Sequence, residues 1–301
     1  MTAALLATLN LPWPFDREYM QLALGAAVVV GVCAPLIGVF LVQKQMALMG
    51  DGVGHLAFAG VAAGLLLEVW PLWSALVVAI LGALAIDMLQ RRGRATGDLA
   101  LALVFYGGIA LGVVLLSKSG AGSLPIIEYL FGSILTVTPN DLILIAGLGV
   151  AIIATLAVFG RPLLAAVLDE EAARVAGLPV DATSALLAVL TAVTVVAAMR
   201  VVGVLLVAAL MVLPVASSRL LARSFRGTLV IAVLVGVGCA IAGLAAARTW
   251  GLAPGGTIVL AATACFGIVA VLTTARPESG LGRRSPPSAP IGDQQTGRTD
   301  G

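Results

Sequence analysis

One stretch of the sequence reads Met49-Gly50-Asp51-Gly52-Val53-Gly54-His55-Leu56-Ala57-Phe58-Ala59-Gly60. Asp51 and His55 are four residues apart, a spacing that places both on one face of a helix. His55 is the chain's one histidine. An ionisable group inside a membrane span costs about 2.5–3.5 kcal/mol on insertion scales, so it turns toward the protein interior or a water-filled path. A carboxylate oxygen beside an imidazole nitrogen suits a borderline divalent cation, zinc first, with manganese or iron(II) also served. Two ligands are an incomplete set. Two copies packed across a two-fold axis would supply two Asp and two His, and Gly50, Gly52, Gly54, Gly60 and Gly64 would let helices approach closely there. Metal must displace the imidazole proton, so occupancy is expected to fall in mildly acidic solution. The competing reading makes Asp51 a helix cap and His55 a hydrogen-bonded interior residue.

A second polar stretch reads Leu168-Asp169-Glu170-Glu171-Ala172-Ala173-Arg174-Val175-Ala176-Gly177-Leu178-Pro179. Asp169 can cap a helix, Glu170 and Glu171 sit favourably at its positive end, and Gly177 with Pro179 stops it. So short a helix is marginal alone, so either the body of the protein or a docked partner must hold it. The alternative is a solvated surface loop.

These residues are set among apolar runs. Of 301 residues, 60% are hydrophobic and 11% charged, against roughly 25% charged in an ordinary soluble domain. The mean hydropathy is +1.11. Candidate spans run near 20–42, 46–67, 70–89, 99–116, 142–159, 182–199, 201–218, 229–247 and 257–274, which predicts an all-α polytopic membrane protein of eight or nine transmembrane helices. The stretch 182–218 would measure ~55 Å as one helix, too long for one crossing. It therefore reads as two spans, with Arg200 at the reversal snorkelling to the headgroups. Basic clusters at Arg91, Arg92 and Arg94, at Arg161 and Arg174, at Arg219, Arg223 and Arg226, and at Arg276, Arg283 and Arg284 are expected on the cytoplasmic side. Three full spans before Arg91 would put residue 1 outside, whereas a broken second span would put it inside.

Residues 1–19 read as an N-terminal interfacial segment, with Trp13, Phe15 and Tyr19 suited to the headgroup layer. Residues 20–275 form the transmembrane domain, and 276–301 a disordered cytoplasmic tail. Tyr129-Leu130-Phe131-Gly132-Ser133-Ile134-Leu135 suggests a short helix tucked into the outer face. Residues 161–181 form the sizeable inner connection. Asp87, Asp98, Glu68 and Asp141 lie at span ends, where interfacial solvation is the default. The three cysteines, Cys33, Cys239 and Cys265, lie in apolar runs without Cys-x-x-Cys spacing and read as buried small hydrophobes.

The charge pattern offers no basic face, so no nucleic-acid partner is expected. No Gly-x-x-x-x-Gly-Lys-Ser/Thr loop occurs, and the only lysines are Lys44 and Lys118, so an ATP-driven step would need a separate subunit. Neither a Gly-x-Ser-x-Gly elbow nor His-Glu-x-x-His is present, which argues against a membrane hydrolase.

From about Tyr19 to Thr274 the chain resembles the membrane permease subunits of ABC importers for zinc, manganese and related metal ions. The marks are Val32-Cys33-Ala34-Pro35-Leu36-Ile37-Gly38, Met49-Gly50-Asp51 with His55, the Tyr129–Leu135 segment, the Asp169–Leu178 segment, Arg200-Val201-Val202-Gly203-Val204-Leu205-Leu206 followed by Leu213-Pro214, and Pro254-Gly255-Gly256-Thr257. The resemblance implies an ABC importer permease fold in the cytoplasmic (inner) membrane and a dimeric pore formed with a second permease copy, an identical chain being the natural choice. It further implies a cytoplasmic ABC ATPase subunit gripping the Asp169–Gly177 helix and an extracellular metal-binding protein delivering the ion. Asp51 and His55 match the family's polar pair along the transport path. The metal would be cargo, with no permanently bound cofactor and no enzymatic activity in this chain. The sequence departs from the family pattern at Gly54, where Ser is common, at Ala59, where Pro is common, and at Gln43-Lys44-Gln45, where an arginine pair often stands. The lost hydroxyl removes a candidate partner for His55, and the lost Pro straightens the helix. The alternative function is a proton-coupled secondary metal transporter or channel without an ATPase, with Asp51 and His55 as relay groups. A non-transport membrane scaffold is the third class.

Overall fold

In hydrocarbon every backbone N–H and C=O must find its partner within the protein, and apolar runs of this length do so by winding into α-helices. The computed structural model describes residues 12–91, 97–119, 128–133 and 137–274. Within them lie α1 (Glu18–Gln43), α2 (Met49–Leu66), α3 (Pro71–Arg91), α4 (Gly97–Ser119), α5 (Pro139–Leu168), the short α6 (Glu170–Val175), α7 (Val180–Met199), α8 (Val204–Leu221), α9 (Phe225–Trp250) and α10 (Pro254–Thr274). Among the described residues nine of these helices, all but α6, are long and apolar enough to cross a membrane, the upper of the two expected counts. Residues 1–11 and 275–301 lie outside the described residues, as do Arg92, Arg94, Ile134 and Leu135, so most of the interfacial-segment expectation and all of the tail expectation fall there.

The helix ends follow local chemistry. The Thr138 hydroxyl accepts from the Asp141 amide at 3.2 Å while the Asp141 carboxylate accepts from the Thr138 amide at 3.0 Å, closing a reciprocal cap on α5. The Ser224 hydroxyl caps α9 through the Gly227 amide at 3.1 Å. Gly251, in the left-handed region at φ +66°, ends α9.

One end of the bundle gathers the described basic clusters. Arg91 of α3 and Arg174 of α6 both face Asp181 of α7. Gln43, Leu168, Arg219 and Arg223 line one cavity. This end is cytoplasmic by the positive-inside rule. Because α2 is one unbroken helix, α1 starts at the opposite, outer end, where Asp16 faces Arg248 at 3.7 Å. The described chain therefore begins outside and ends inside.

Burial divides the helices. In α1, α2 and α7, 67% of the most apolar 18-residue window is buried, against 17% in α4 and α5. The first three form the centre, and α4 and α5 leave broad apolar faces for lipid or a partner.

Three expectations are corrected. Residues 161–168 are not part of a polar connection. They continue α5 through Pro162, because Leu163 and Ala166 are buried and hold the helix across the missing amide. The cytoplasmic connection reduces to α6 and its flanks.

Arg200 does mark a reversal between α7 and α8, but it does not reach toward headgroups. Its guanidinium donates to Asp141 at 2.8 Å and lies over the Tyr129 ring, 5.1 Å from the centroid. Asp141 is 1% exposed rather than interfacially solvated. The segment 128–133 covers this reversal: residues 128–131 are helical, Tyr129 is buried, and the Ser133 amide donates to the Arg200 carbonyl at 3.3 Å. Burial pushes the Tyr129 phenol above its ordinary pKa, the neighbouring Arg200 charge draws it down, and Asp141 and Glu128 push it up.

Candidate metal-transit site

The second span is glycine-rich because it is squeezed. A Cβ at Gly60 would stand 2.6 Å from the Ala75 Cα of α3, and one at Gly54 would stand 3.1 Å from the Val204 carbonyl oxygen at the start of α8. Gly50 lies against Met211 and Ala208 of α8, Gly52 against Leu101 of α4, and Gly64 against Ser74 and Pro71 of α3. Gly52 makes an ordinary van der Waals contact there, and the other four of the five glycines that were expected to admit a second copy are thus spent on close contacts within one chain. Gly108 of α4 does the same from the other side, its Cβ position lying 3.1 Å from the His55 carbonyl carbon.

These contacts fix the polar pair. Asp51 lies in the first turn of α2, where the helix dipole favours a carboxylate, and no side-chain cap is made at Leu48. Asp51 therefore does not serve as the cap of the competing reading. One turn on, His55 Nε2 is 3.8 Å from Asp51 Oδ1. That is too long for a hydrogen bond. Two donors each about 2.0–2.2 Å from one tetrahedral ion stand roughly 3.4 Å apart, so a small side-chain adjustment would let the pair chelate. The His55 ring packs edge-on to Phe105 of α4, centroids 4.2 Å apart. The side chains are 11% exposed for His55 and 34% for Asp51.

Asp51 opens into a cavity of about 290 Å³ between α2 and α4, lined also by Leu48, Gly52, Leu101, Ala102, Phe105 and Tyr106. Tyr106 is 68% exposed on the outer side of α4. Among the described residues no group of three or more His, Cys, Asp or Glu could hold a metal, so the described part of one chain brings the Asp51–His55 pair together without a third such group. No sequence signal marked Phe105 or Gly108, which reach the site through helix packing across about fifty residues of chain.

The second polar stretch folds into a helix as expected, beginning one residue inside the anticipated start and ending two residues inside the anticipated end. Asp169 is the N-cap, its carboxylate accepting from the Ala172 amide at 2.9 Å. Arg174 donates to Glu170 at 3.1 Å. Gly177 takes φ +80°, and its amide closes the turn on the Arg174 carbonyl. Ala173 is the anchor: it packs with Ala166, Val180 and Leu178 in a small apolar cluster. Glu171 and Ala172 face solvent, as does Val175, which is 91% exposed.

Asp87 overturns the expectation of interfacial solvation. It is 3% exposed, paired with Arg91 and bonded to Ser184. A lone carboxylate at a span end reads as solvated until the helix packed against it is known.

Comparisons with known proteins find similarity along nearly the whole chain. The family model described as "ABC 3 transport family" matches residues 16–273. The chain is 33% identical over 263 residues to the manganese transport system membrane protein MntC of Halalkalibacterium halodurans, covering 86% of this chain and 90% of that one. It is 30% identical over 251 residues to the manganese import system permease protein ScaB of Streptococcus gordonii, covering 83% and 90%. Among solved structures it superposes on PsaBC from Streptococcus pneumoniae in complex with Fab with a TM-score of 0.78 at 30% identity, covering 89% of this chain and 95% of that one.

Proposed function

Because this chain belongs to the ABC 3 transport family and is a multi-pass membrane permease of a metal ABC importer, a transporter component and not an enzyme, we propose that it carries manganese inward, driven by a separate ATPase. The observation that carries this reading is the Asp51–His55 pair, set 3.8 Å apart on α2 at the edge of a cavity. The names of the MntC and ScaB relatives favour manganese. The carboxylate is the harder donor that manganese prefers, while the His55 nitrogen keeps zinc as the second reading.

Two copies facing each other would combine two Asp and two His into a four-ligand site along the path, each copy presenting the α2–α4 face. Manganese favours six ligands, so four protein donors leave positions for water and hold the ion less firmly than a full protein cage, as a permease requires. The 301 residues contain no phosphate-binding loop, so ATP is hydrolysed on a cytoplasmic partner that grips the exposed side of α6. An extracellular binding protein delivers the ion at the outer end.

The test is total manganese, zinc and iron by mass spectrometry in metal-limited cells lacking this chain, restored with wild type or Asp51→Asn. Restoration of manganese by wild type alone supports both the cargo and Asp51 in the path. Restoration of zinc instead moves the reading to zinc. Uptake that persists with ATP but collapses with the proton gradient would transfer it to a secondary transporter, and no change in any metal would remove it.

A further inference from the structure

At the cytoplasmic end a run of charged contacts lies apart from the transit pair. Asp87, in the last turn of α3, accepts a hydrogen bond from the Ser184 hydroxyl of α7 at 2.7 Å and is paired with Arg91 one turn along. The Ser184 oxygen accepts in turn from the Lys44 ammonium. Lys44 follows α1 directly and opens the connection to α2, the helix that carries Asp51 and His55. On its other side Arg91 faces Asp181 at 3.6 Å, Asp181 faces Arg174 at 3.7 Å, and Arg174 bonds Glu170 at 3.1 Å. Glu170 and Arg174 belong to α6. The contacts are continuous from the exposed cytoplasmic helix to the entrance of the transit helix.

The links differ in strength. Arg174 and Asp181 are 61% and 68% exposed, so their contact is screened and weak. Asp87 is buried, and removing its charge leaves Arg91 facing the exposed Asp181 carboxylate as its counter-charge and weakens the acceptor that holds the Ser184–Lys44 pair. A cavity of about 500 Å³, lined among others by Lys44, Asp87, Gln90, Arg91, Glu170 and Ser184, gives these groups room to rearrange. Burial draws the Lys44 ammonium below its ordinary pKa, Glu170 raises it and Arg91 lowers it, so the field at Lys44 depends on where α6 and α3 stand.

We propose that Asp87 is a positioning residue for transport: through Ser184 it holds the Lys44 connection against α7, so that displacement of α6 reaches the start of α2. This rests on reading the chain as an ATP-driven permease. Its readout is the number of ATP molecules hydrolysed per ion imported, which a purely structural role would leave unchanged.

The experiment uses the assembled transporter in proteoliposomes, with manganese uptake and ATP hydrolysis measured on one preparation. Asp87→Asn is expected to raise the ATP-to-manganese ratio about 5-fold or more, the lower end of coupling between linked sites. Ser184→Ala should move the ratio in the same direction, Asp87→Glu should restore part of it, and Lys44→Met combined with Asp87→Asn should be no worse than Asp87→Asn alone. An unchanged ratio in both Asp87→Asn and Ser184→Ala, or full additivity of Lys44→Met with Asp87→Asn, overturns the linkage. Failure of the wild-type assembly to move either manganese or zinc would instead overturn the permease reading on which the linkage stands.

Discussion

Arg200 and Asp141 form a 2.8 Å ion pair in which the side chains are 12% and 2% exposed, joining the α7–α8 reversal to the first turn of α5. Taking one partner away removes the counter-charge of a buried group, a loss of up to about 3–5 kcal/mol, whereas replacing both removes the charges together. Asp141→Asn and Arg200→Met are each expected to lower the thermal midpoint of the purified protein strongly, and the double variant less than the sum of the two. Additive losses in that double-mutant cycle would mean that the pair contributes nothing as a pair.

Gly203 stands at the same reversal with φ +86°, and a Cβ there would lie 2.4 Å from the Leu130 carbonyl oxygen. Gly203→Ala should therefore cost at least about 1–3 kcal/mol of backbone strain before the clash is counted. Gly147, inside α5 with nothing within 4 Å of its Cβ position, is the internal comparison. Alanine there should stabilise by roughly 0.5–1 kcal/mol. Equal thermal midpoints for the two variants would contradict the packing described for segment 128–133.

The helices and the shared face of Asp51 and His55 were legible in the sequence for the same reason. A membrane restricts an apolar run of about twenty residues to one conformation, and an Asp and a His four residues apart on such a run share a face whatever surrounds them. What the sequence withheld was partnership across the bundle. Arg200 read as a snorkelling residue because its acceptor, Asp141, is fifty-nine positions away. Asp87 read as interfacial because Ser184, its hydroxyl donor, is ninety-seven positions away. The glycines of α2 were read as room for a second copy, and the structure sets Gly50, Gly54, Gly60 and Gly64 tightly against α3 and α8 of the same chain.

Docking through α6 can be separated from the stability of α6. Asp169→Ala removes the cap that accepts from the Ala172 amide and should weaken the helix by about 0.5–2 kcal/mol. Val175 is 91% exposed, so Val175→Asp should change stability by no more than about 0.5 kcal/mol while placing a charge on the surface proposed to meet the ATPase. The expected result is loss of ATPase co-purification with an unchanged thermal midpoint. Retention of the ATPase by Val175→Asp would remove this face of α6 from the contact.

The choice between manganese and zinc turns on the one nitrogen donor. Asp51→Asn keeps the shape of the side chain and removes its charge. An interaction with a charged group is worth ~1.5–3 kcal/mol, or about 10- to 150-fold in apparent affinity, so uptake of either metal should require correspondingly higher concentrations. His55→Gln replaces the imidazole with a neutral amide whose oxygen is the harder donor. Zinc, which gains more from imidazole, should then lose more than manganese, and the manganese-to-zinc uptake ratio measured in competition should rise. Asp51→Asn should lower both metals and, because manganese prefers the carboxylate oxygen, should shift that ratio the opposite way, toward zinc. A ratio that stays constant in His55→Gln while uptake of both metals falls would show that His55 shapes the path without binding the ion, and its edge-on contact with Phe105 would then be its main role.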